Sequence, residues 1–165
     1  MIIKEILQRR SVRQYKKEPV PEQYIIEIIK AAQFAPSAHN NRAVEFVVVK
    51  DEQIKEQLAQ VAGQPFVKEA PVVIVPCTDS QKTDFAVEDL SVACQNIFLQ
   101  AVSLGLGTVW KNIKGGNREQ KVKEILGIPD HYISINIIPL GWPLNTPLPY
   151  SDDDFDKTKI HYEHW

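Results

Sequence analysis

Arg9-Arg10-Ser11-Val12-Arg13 follows directly on a short amphipathic stretch in which Ile2, Ile3, Ile6 and Leu7 share one helical face. Three guanidiniums and a hydroxyl within five residues form a dense set of anion donors. The planar guanidinium fork matches phosphate oxygens in pairs, and Ser11 adds a further donor. A lone arginine here would be read as a cation at a helix C-terminus, where the macrodipole favours it. Three together with Ser11 point instead to anion binding. A second run of small and polar donors, Ala35-Pro36-Ser37-Ala38-His39-Asn40-Asn41, follows a strong helical pattern further along. Alone it reads as an ordinary helix-to-strand loop; beside the arginines it suggests a phosphorylated cofactor.

The chain has 165 residues, enough for one domain with a real core and few for two ordinary ones. Hydrophobic residues make up 44% and charged residues 24%, which indicates a globular chain rather than a disordered one. A net charge of −2 sets aside a protein whose main task is to coat nucleic acid, since such proteins are usually basic. Cys77 and Cys94 show no CxxC and no metal-ligand spacing. One disulfide is arithmetically open, and a buried thiol pair in a reducing compartment is the favoured reading. The N-terminus lacks a signal-peptide apolar core, and no stretch reaches the roughly 18 apolar residues of a membrane span. The expectation is a soluble cytoplasmic protein.

Outward from the arginines, the patterns alternate between helix and strand. A short helix is expected over 2–9, with a connection over 16–21 and Pro21 suited to the first turn of the next helix. Tyr24, Ile25, Ile28, Ile29 and Ala32 keep the 3.6 period until Pro36. A β-branched strand over 45–50 precedes Asp51, a cap for a helix carrying Ile54, Leu58 and Val61. The run 71–75 is apolar on both faces and reads as a central strand. The pattern from Val87 to Leu104 is apolar around most of its circumference, as in a central helix or a dimer contact. Gly105-Leu106-Gly107 then turns into a third strand through Trp110. Asn117 and Gln120 resemble a capping box for a helix closed by Gly127 and Pro129. Tyr132 to Leu140 reads as a fourth strand, with Ile133, Ile135 and Ile137 alternating with Ser134 and Asn136. The tail from Gly141 carries three prolines and ends in Tyr162 and Trp165, large apolar groups that are poor tail residues unless they dock.

Other candidate groups have plain explanations. Gly105-Leu106-Gly107 lacks the dinucleotide fingerprint and leads into a strand, so a helix C-cap is favoured. Glu88-Asp89 suits the first turn of a helix through the dipole. His161 and His164 have metal-pair spacing without a supporting ligand cluster, so no metal site is expected. No Ser/His/Asp set, nucleophile elbow or zinc signature is visible.

The order of these motifs resembles the flavin-dependent nitroreductase family, specifically its short, single-domain members. The matching elements are Arg9-Arg10-Ser11-Val12-Arg13-Gln14-Tyr15, Ala35-Pro36-Ser37-Ala38-His39-Asn40 and Ala62-Gly63-Gln64-Pro65-Phe66. They continue with Leu104-Gly105-Leu106-Gly107-Thr108-Val109-Trp110, Pro139-Leu140-Gly141-Trp142-Pro143 and the terminal His161-Tyr162-Glu163-His164-Trp165. The likeness runs nearly end to end.

The resemblance implies an α+β sandwich with a central mixed β-sheet flanked by helices, one domain over 1–165, and an interlocked homodimer onto whose partner the tail 141–165 wraps. It implies FMN held at the interface, with NADH or NADPH as electron donor. By that analogy Arg9 and Ser11 bind the phosphate, Arg10 lies beside the ribityl chain and Arg13 near the pyrimidine edge. Pro36, Ser37, Ala38 and Asn40 line the ring from the partner subunit, Gln64 contacts the pyrimidine, and backbone from Trp110 through Lys111 and Asn112 to Ile113 reaches N5 and O4. The flavin carries the chemistry, so no catalytic side chain is required. The implied activity is ping-pong hydride transfer from NAD(P)H through flavin N5 to an electron-poor acceptor such as a nitroaromatic or quinone. The alternative is a non-catalytic module that binds FMN or another phosphorylated ligand. The chain departs from the family pattern at Arg42-Ala43-Val44, where relatives often carry Gln-Pro-Trp, and at Asp154 before Phe155, where they often carry a base.

Overall fold

The computed structural model describes residues 2–165. Helix α1 (Lys4–Gln8) is shorter than the expected 2–9 and buries none of its residues, leaving Ile2, Ile3 and Ile6 exposed. Helix α2 (Glu22–Gln33) begins after Pro21, which stands at the cap in extended backbone rather than inside the first turn. Strand β1 (Val44–Val49) leads into α3 (Glu52–Ala62), whose cap is Asp51, accepting the Ile54 N–H at 2.9 Å as expected. The short α4 (Phe66–Glu69) precedes β2 (Val72–Asp79).

Every residue of β2 is buried, and this strand is the spine of the sheet. It pairs antiparallel with β1, with Val47 opposite Val75, and with β6 (Asn136–Gly141), with Ile74 opposite Ile138. Beyond β6 lies β3 (Gly107–Thr108), giving the order β1-β2-β6-β3; β4 (Lys111–Asn112) also pairs with β6, and β5 (Tyr132–Ile133) with β2. These strand pairs are all antiparallel. The sheet is therefore antiparallel rather than mixed as expected, and parallel pairing occurs as an isolated bridge between Ser11 and Thr108 outside the paired strands.

Side chains alternate across a strand, so one strand feeds two cores. Val73, Val75 and Cys77 pack with Leu58, Ala62, Phe66 and Val67 of α3 and α4. Val72 and Ile74 pack on the other face with Ile25 and Ile28 of α2 and with Ile97 and Ala101 of α5 (Ala86–Ser103). The result is the expected α+β sandwich. Helix α5 ends as its glycine predicts: Leu106 N–H bonds to Ala101 O at 2.8 Å and Gly105 N–H to Val102 O at 2.9 Å, with Gly105 at φ +78°.

Two local expectations change. Helix α6 (Gly116–Leu126) is not capped by Asn117 and Gln120. Glu119 accepts the Gly115 N–H at 2.8 Å, while Gln120 reaches Glu124 and Asp130. The single strand over 132–140 is broken at Ser134-Ile135. There the Ser134 N–H goes to Glu119 at 3.1 Å, its hydroxyl to Pro76 O at 2.8 Å, and the Ile135 carbonyl accepts from Ile113 and Lys114. Ser134 and Asn136 are fully buried rather than outward, with the Asn136 amide against Cys94 Sγ at 3.3 Å.

From Trp142 the chain runs back antiparallel beside the N-terminal segment. Lys16 N–H bonds to Trp142 O, Leu144 N–H to Gln14 O and Tyr150 N–H to Leu7 O, at 2.9, 3.0 and 2.8 Å. After that, every residue from 151 to 165 is exposed. Among the described residues no helix is long and apolar enough to cross a membrane.

Candidate functional site

Arg9 leaves α1 in extended backbone. Three residues on, Val12 donates its N–H to Thr108 O at 2.9 Å and buries its side chain. This close approach requires Gly107, since a Cβ there would stand 2.5 Å from a Val12 methyl. With Val12 turned inward, the alternation of an extended segment turns Ser11 and Arg13 outward, and both are exposed. They line a cleft of about 350 Å³ with Gln14, Asn145 and Pro147. Among the described residues no carboxylate lies within ion-pair distance of Arg9, Arg10 or Arg13. The Tyr15 hydroxyl donates to Val12 O at 2.6 Å, which pins the end of the segment. Burial pushes that phenol above its ordinary pKa, with the Arg13 charge acting in the opposite sense.

Arg10 is placed differently from the rest. Its guanidinium lies 4.4 Å from the Tyr150 ring centre and donates to Leu148 O at 3.1 Å. Arg10, expected beside a ribityl chain, thus contacts the tail through one bond and one ring face. The segment has two faces: Ser11 and Arg13 toward the cleft, Arg10 toward residues 148–150.

The backbone from Trp110 to Ile113 continues from β3 past β4. Trp110 is partly exposed and meets Phe98 edge-on at 6.2 Å. Lys111 is half-buried and Asn112 exposed. Desolvation, and then the nearby Arg118 charge, lower the Lys111 pKa. Ile113 is buried and tied to Ile135 O at 3.0 Å. Gln64 follows Gly63, which caps α3 in left-handed backbone at φ +64°. Val12, Val109, Ile113, Ala62 and Phe66 belong to one core cluster, so the segments 9–13, 109–113 and 62–66 are carried by one rigid layer.

The loop Pro36–Arg42 lies in the other layer. Pro36 and Asn40 are exposed, Ser37 and Ala38 half-buried, and Ala35 packs on the α2–α5 core. His39, Asn40 and Arg42 have φ of +52°, +55° and +50°. Each such non-glycine residue costs about 1–3 kcal/mol unless its surroundings compensate. The Ser37 hydroxyl accepts the Arg42 N–H at 3.0 Å, and Asn40 Oδ1 accepts Arg42 Nε–H at 3.1 Å. Asp89 of α5 accepts the Ala38 N–H at 2.9 Å. Asp89 is thus more than an acidic residue favoured by the helix dipole. Its signal was its register: it is three positions after Ala86 and four before Ala93, on the buried stripe of α5.

Other groups are chemically quiet. Cys77 and Cys94 are free and buried. Burial, reinforced by Glu45, pushes the Cys77 thiol up to about 11, and burial pushes Cys94 up to about 12 against the lowering effect of its Asn136 hydrogen bond. His161 stacks on Trp165 at 4.2 Å, and among the described residues no three metal-ligating side chains converge.

The sequence profile of the nitroreductase family matches residues 6–64 and 59–142. The chain belongs to the nitroreductase family. It is 39% identical over 99% of its length to a protein of Methanothermobacter thermautotrophicus provisionally named NADH dehydrogenase/NAD(P)H nitroreductase, covering 87% of that chain. It is 30% identical to the FMN reductase [NAD(P)H] of Bacillus subtilis, across 86% of this chain and 66% of the relative. Among solved structures, the FMN-dependent nitroreductase of Clostridium difficile superposes with a TM-score of 0.94 at 34% identity, covering 99% of this chain and all of that one.

Two departures of this nitroreductase family chain have local explanations. Arg42 closes the strained loop by bonding Ser37 and Asn40. Asp154 accepts the Ser151 N–H at 2.8 Å and completes a capping box for the short turn Asp152–Asp154.

Proposed function

We propose that this chain is an FMN-dependent oxidoreductase that carries hydride from NADH or NADPH to an electron-poor acceptor, such as a nitroaromatic or quinone, in a ping-pong cycle. The observation that carries the reading is the outward face of Ser11 and Arg13, next to Arg9, on an extended segment bonded to Thr108. Guanidiniums without an internal carboxylate partner, beside a hydroxyl, suit a dianionic phosphate. Names of relatives that specify FMN and NAD(P)H support the same choice.

Arg9 and Ser11 bind the phosphate. Arg13 places a fixed positive charge at the cleft, where it stabilises negative charge on a reduced ligand and favours reduction. Gln64 offers a polar contact to the pyrimidine, and the backbone from Trp110 through Lys111 and Asn112 to Ile113 orients the ring. Pro36, Ser37, Ala38 and Asn40 are supplied by a second copy. Arg10 holds the tail rather than the ribityl chain. Bound FMN supplies the redox chemistry by accepting and donating hydride at N5, so no protein nucleophile is needed.

The working unit is a homodimer of two single-domain chains. Leu148, Phe155, Tyr162 and Trp165 are 84%, 60%, 78% and 101% exposed, and Phe34 is 72% exposed. Large apolar surfaces of this kind mark interaction sites. Their occupant is a second copy, onto which the tail 151–165 folds. Free, buried thiols suit a reducing cytoplasm. The alternative is a non-catalytic module that binds FMN or another phosphorylated ligand.

The test starts from protein purified without added cofactor. Titration with FMN and FAD is expected to show micromolar or tighter FMN binding near one per chain. NADH and NADPH oxidation with a quinone then separates enzyme from binder, and light scattering is expected to give a dimer. No binding of either flavin would overturn the reading.

A further inference from the structure

The strained loop Ser37–Arg42 is restrained in two ways. Bonds inside it, from Arg42 N–H to Ser37 and from Ala43 N–H to Asn41, fix its shape. They do not fix where it sits. Its tie to the body runs through Asp89. Oδ1 accepts the Ala38 N–H at 2.9 Å, and Oδ2 accepts the Thr83 hydroxyl at 3.0 Å. Thr83 Oγ1 in turn accepts the Phe85 N–H at 3.1 Å, just ahead of α5. A second tie, from the Asn41 amide to Lys82 O, is long at 3.4 Å.

Asp89 is an unusual residue for a merely helix-starting task. It is 4% exposed, and among the described residues no cation lies within ion-pair distance of it. Burying a carboxylate on neutral donors alone is costly. The dipole of α5 is already served by exposed Glu88. What Asp89 alone provides is an acceptor for Ala38, the residue next to the three left-handed positions.

We propose that Asp89 is a positioning residue: its carboxylate, braced by Thr83, sets the placement of the Ser37–Arg42 loop and so the surface which that loop presents to the flavin ring. The inference rests on the FMN reading given under Proposed function. Asp89 touches no ligand and acts through the Ala38 backbone.

Three variants test it, read by FMN fluorescence titration, by visible circular dichroism of the bound flavin and by melting of the cofactor-free protein. Asp89→Ala leaves the Ala38 N–H without its acceptor. It is expected to weaken FMN binding by about tenfold, the scale of a lost bond to a charged group, and to change the visible dichroism. Asp89→Asn keeps an acceptor for Ala38 and gains a donor toward Thr83, so FMN affinity is expected to stay within about threefold. Thr83→Val removes only the brace and is expected to fall between them; it also decides the matter if Asp89→Ala fails to fold. A merely structural Asp89 would lower the melting temperature and leave FMN affinity and dichroism unchanged, which would overturn the proposal. An Asp89→Asn loss as large as that of alanine would also overturn it, because charge rather than hydrogen bonding would then be at work. Failure of the unaltered protein to bind FMN would show up separately, and would remove the underlying reading first.

Discussion

Val12 occupies the space that any side chain at position 107 would need. A Cβ on Gly107 would lie 2.5, 2.7 and 2.9 Å from Cγ2, Cβ and Cγ1 of Val12, and these are not the far end of a flexible chain. Gly107→Ala is therefore expected to push the 11–13 segment off β3 and to destabilise the fold by about 1–3 kcal/mol, the usual scale of overpacking. Chemical denaturation checks the stability, and FMN titration is expected to show weaker binding, since Ser11 and Arg13 hang on the same contact.

Arg9 and Arg13 are expected to separate in function. Arg9→Ala should weaken FMN binding by about 1.5–3 kcal/mol, the range for a charged hydrogen bond. Arg13→Ala should mainly lower the reduction potential of bound FMN and slow its reduction by NAD(P)H. Potentiometry and stopped-flow reduction distinguish the two; equal losses of affinity with an unchanged potential would refute the division.

Arg10→Ala removes a guanidinium 4.4 Å from the Tyr150 ring and a bond to Leu148 O. Such a cation–π contact contributes about 0.5–2 kcal/mol. Hydrogen exchange of residues 148–165 is expected to speed up and the dimer to dissociate more readily on dilution, while FMN affinity per folded site changes little. A large loss of FMN affinity with an unaltered tail would restore Arg10 to the ligand.

The two thiols give a pH signature. Cys77 at about 11 and Cys94 at about 12 are raised because burial disfavours the thiolate. A group with a raised folded pKa contributes its stability below its unfolded pKa, about 8.5 for cysteine. That contribution is lost as pH rises through 11 and 12. Urea midpoints should thus fall between pH 8.5 and 11, and less steeply in a Cys77→Ala, Cys94→Ala double variant. At pH 8 a thiol reagent should label the native protein slowly and the unfolded protein at once.

Much of the fold was legible because its signals are periodic. The all-apolar 71–75 run announced a spine buried on both faces, and Asp51, Gly105 and Gly127 marked helix ends where they occur. What escaped was chemistry that depends on distant partners. Nothing near Ser134 in sequence says that Glu119 will take its N–H and break the strand. Arg10 looked like its neighbours because five residues of sequence do not show which face of an extended segment meets the returning tail. Asp89 was hidden by a plausible local role beside Glu88, although its register with Ala86 and Ala93 placed it on the buried stripe.

The two-faced segment between α1 and β3 also constrains how the gene can change in length. Side-chain direction in extended backbone has a period of two, so inserting or deleting one codon between Arg10 and Val12 would put the tail-facing Arg10 and the cleft-facing Arg13 on the same face. Adding or removing two codons would preserve the assignment of faces. Length variation among descendants of this chain should accordingly be purged from 9–13.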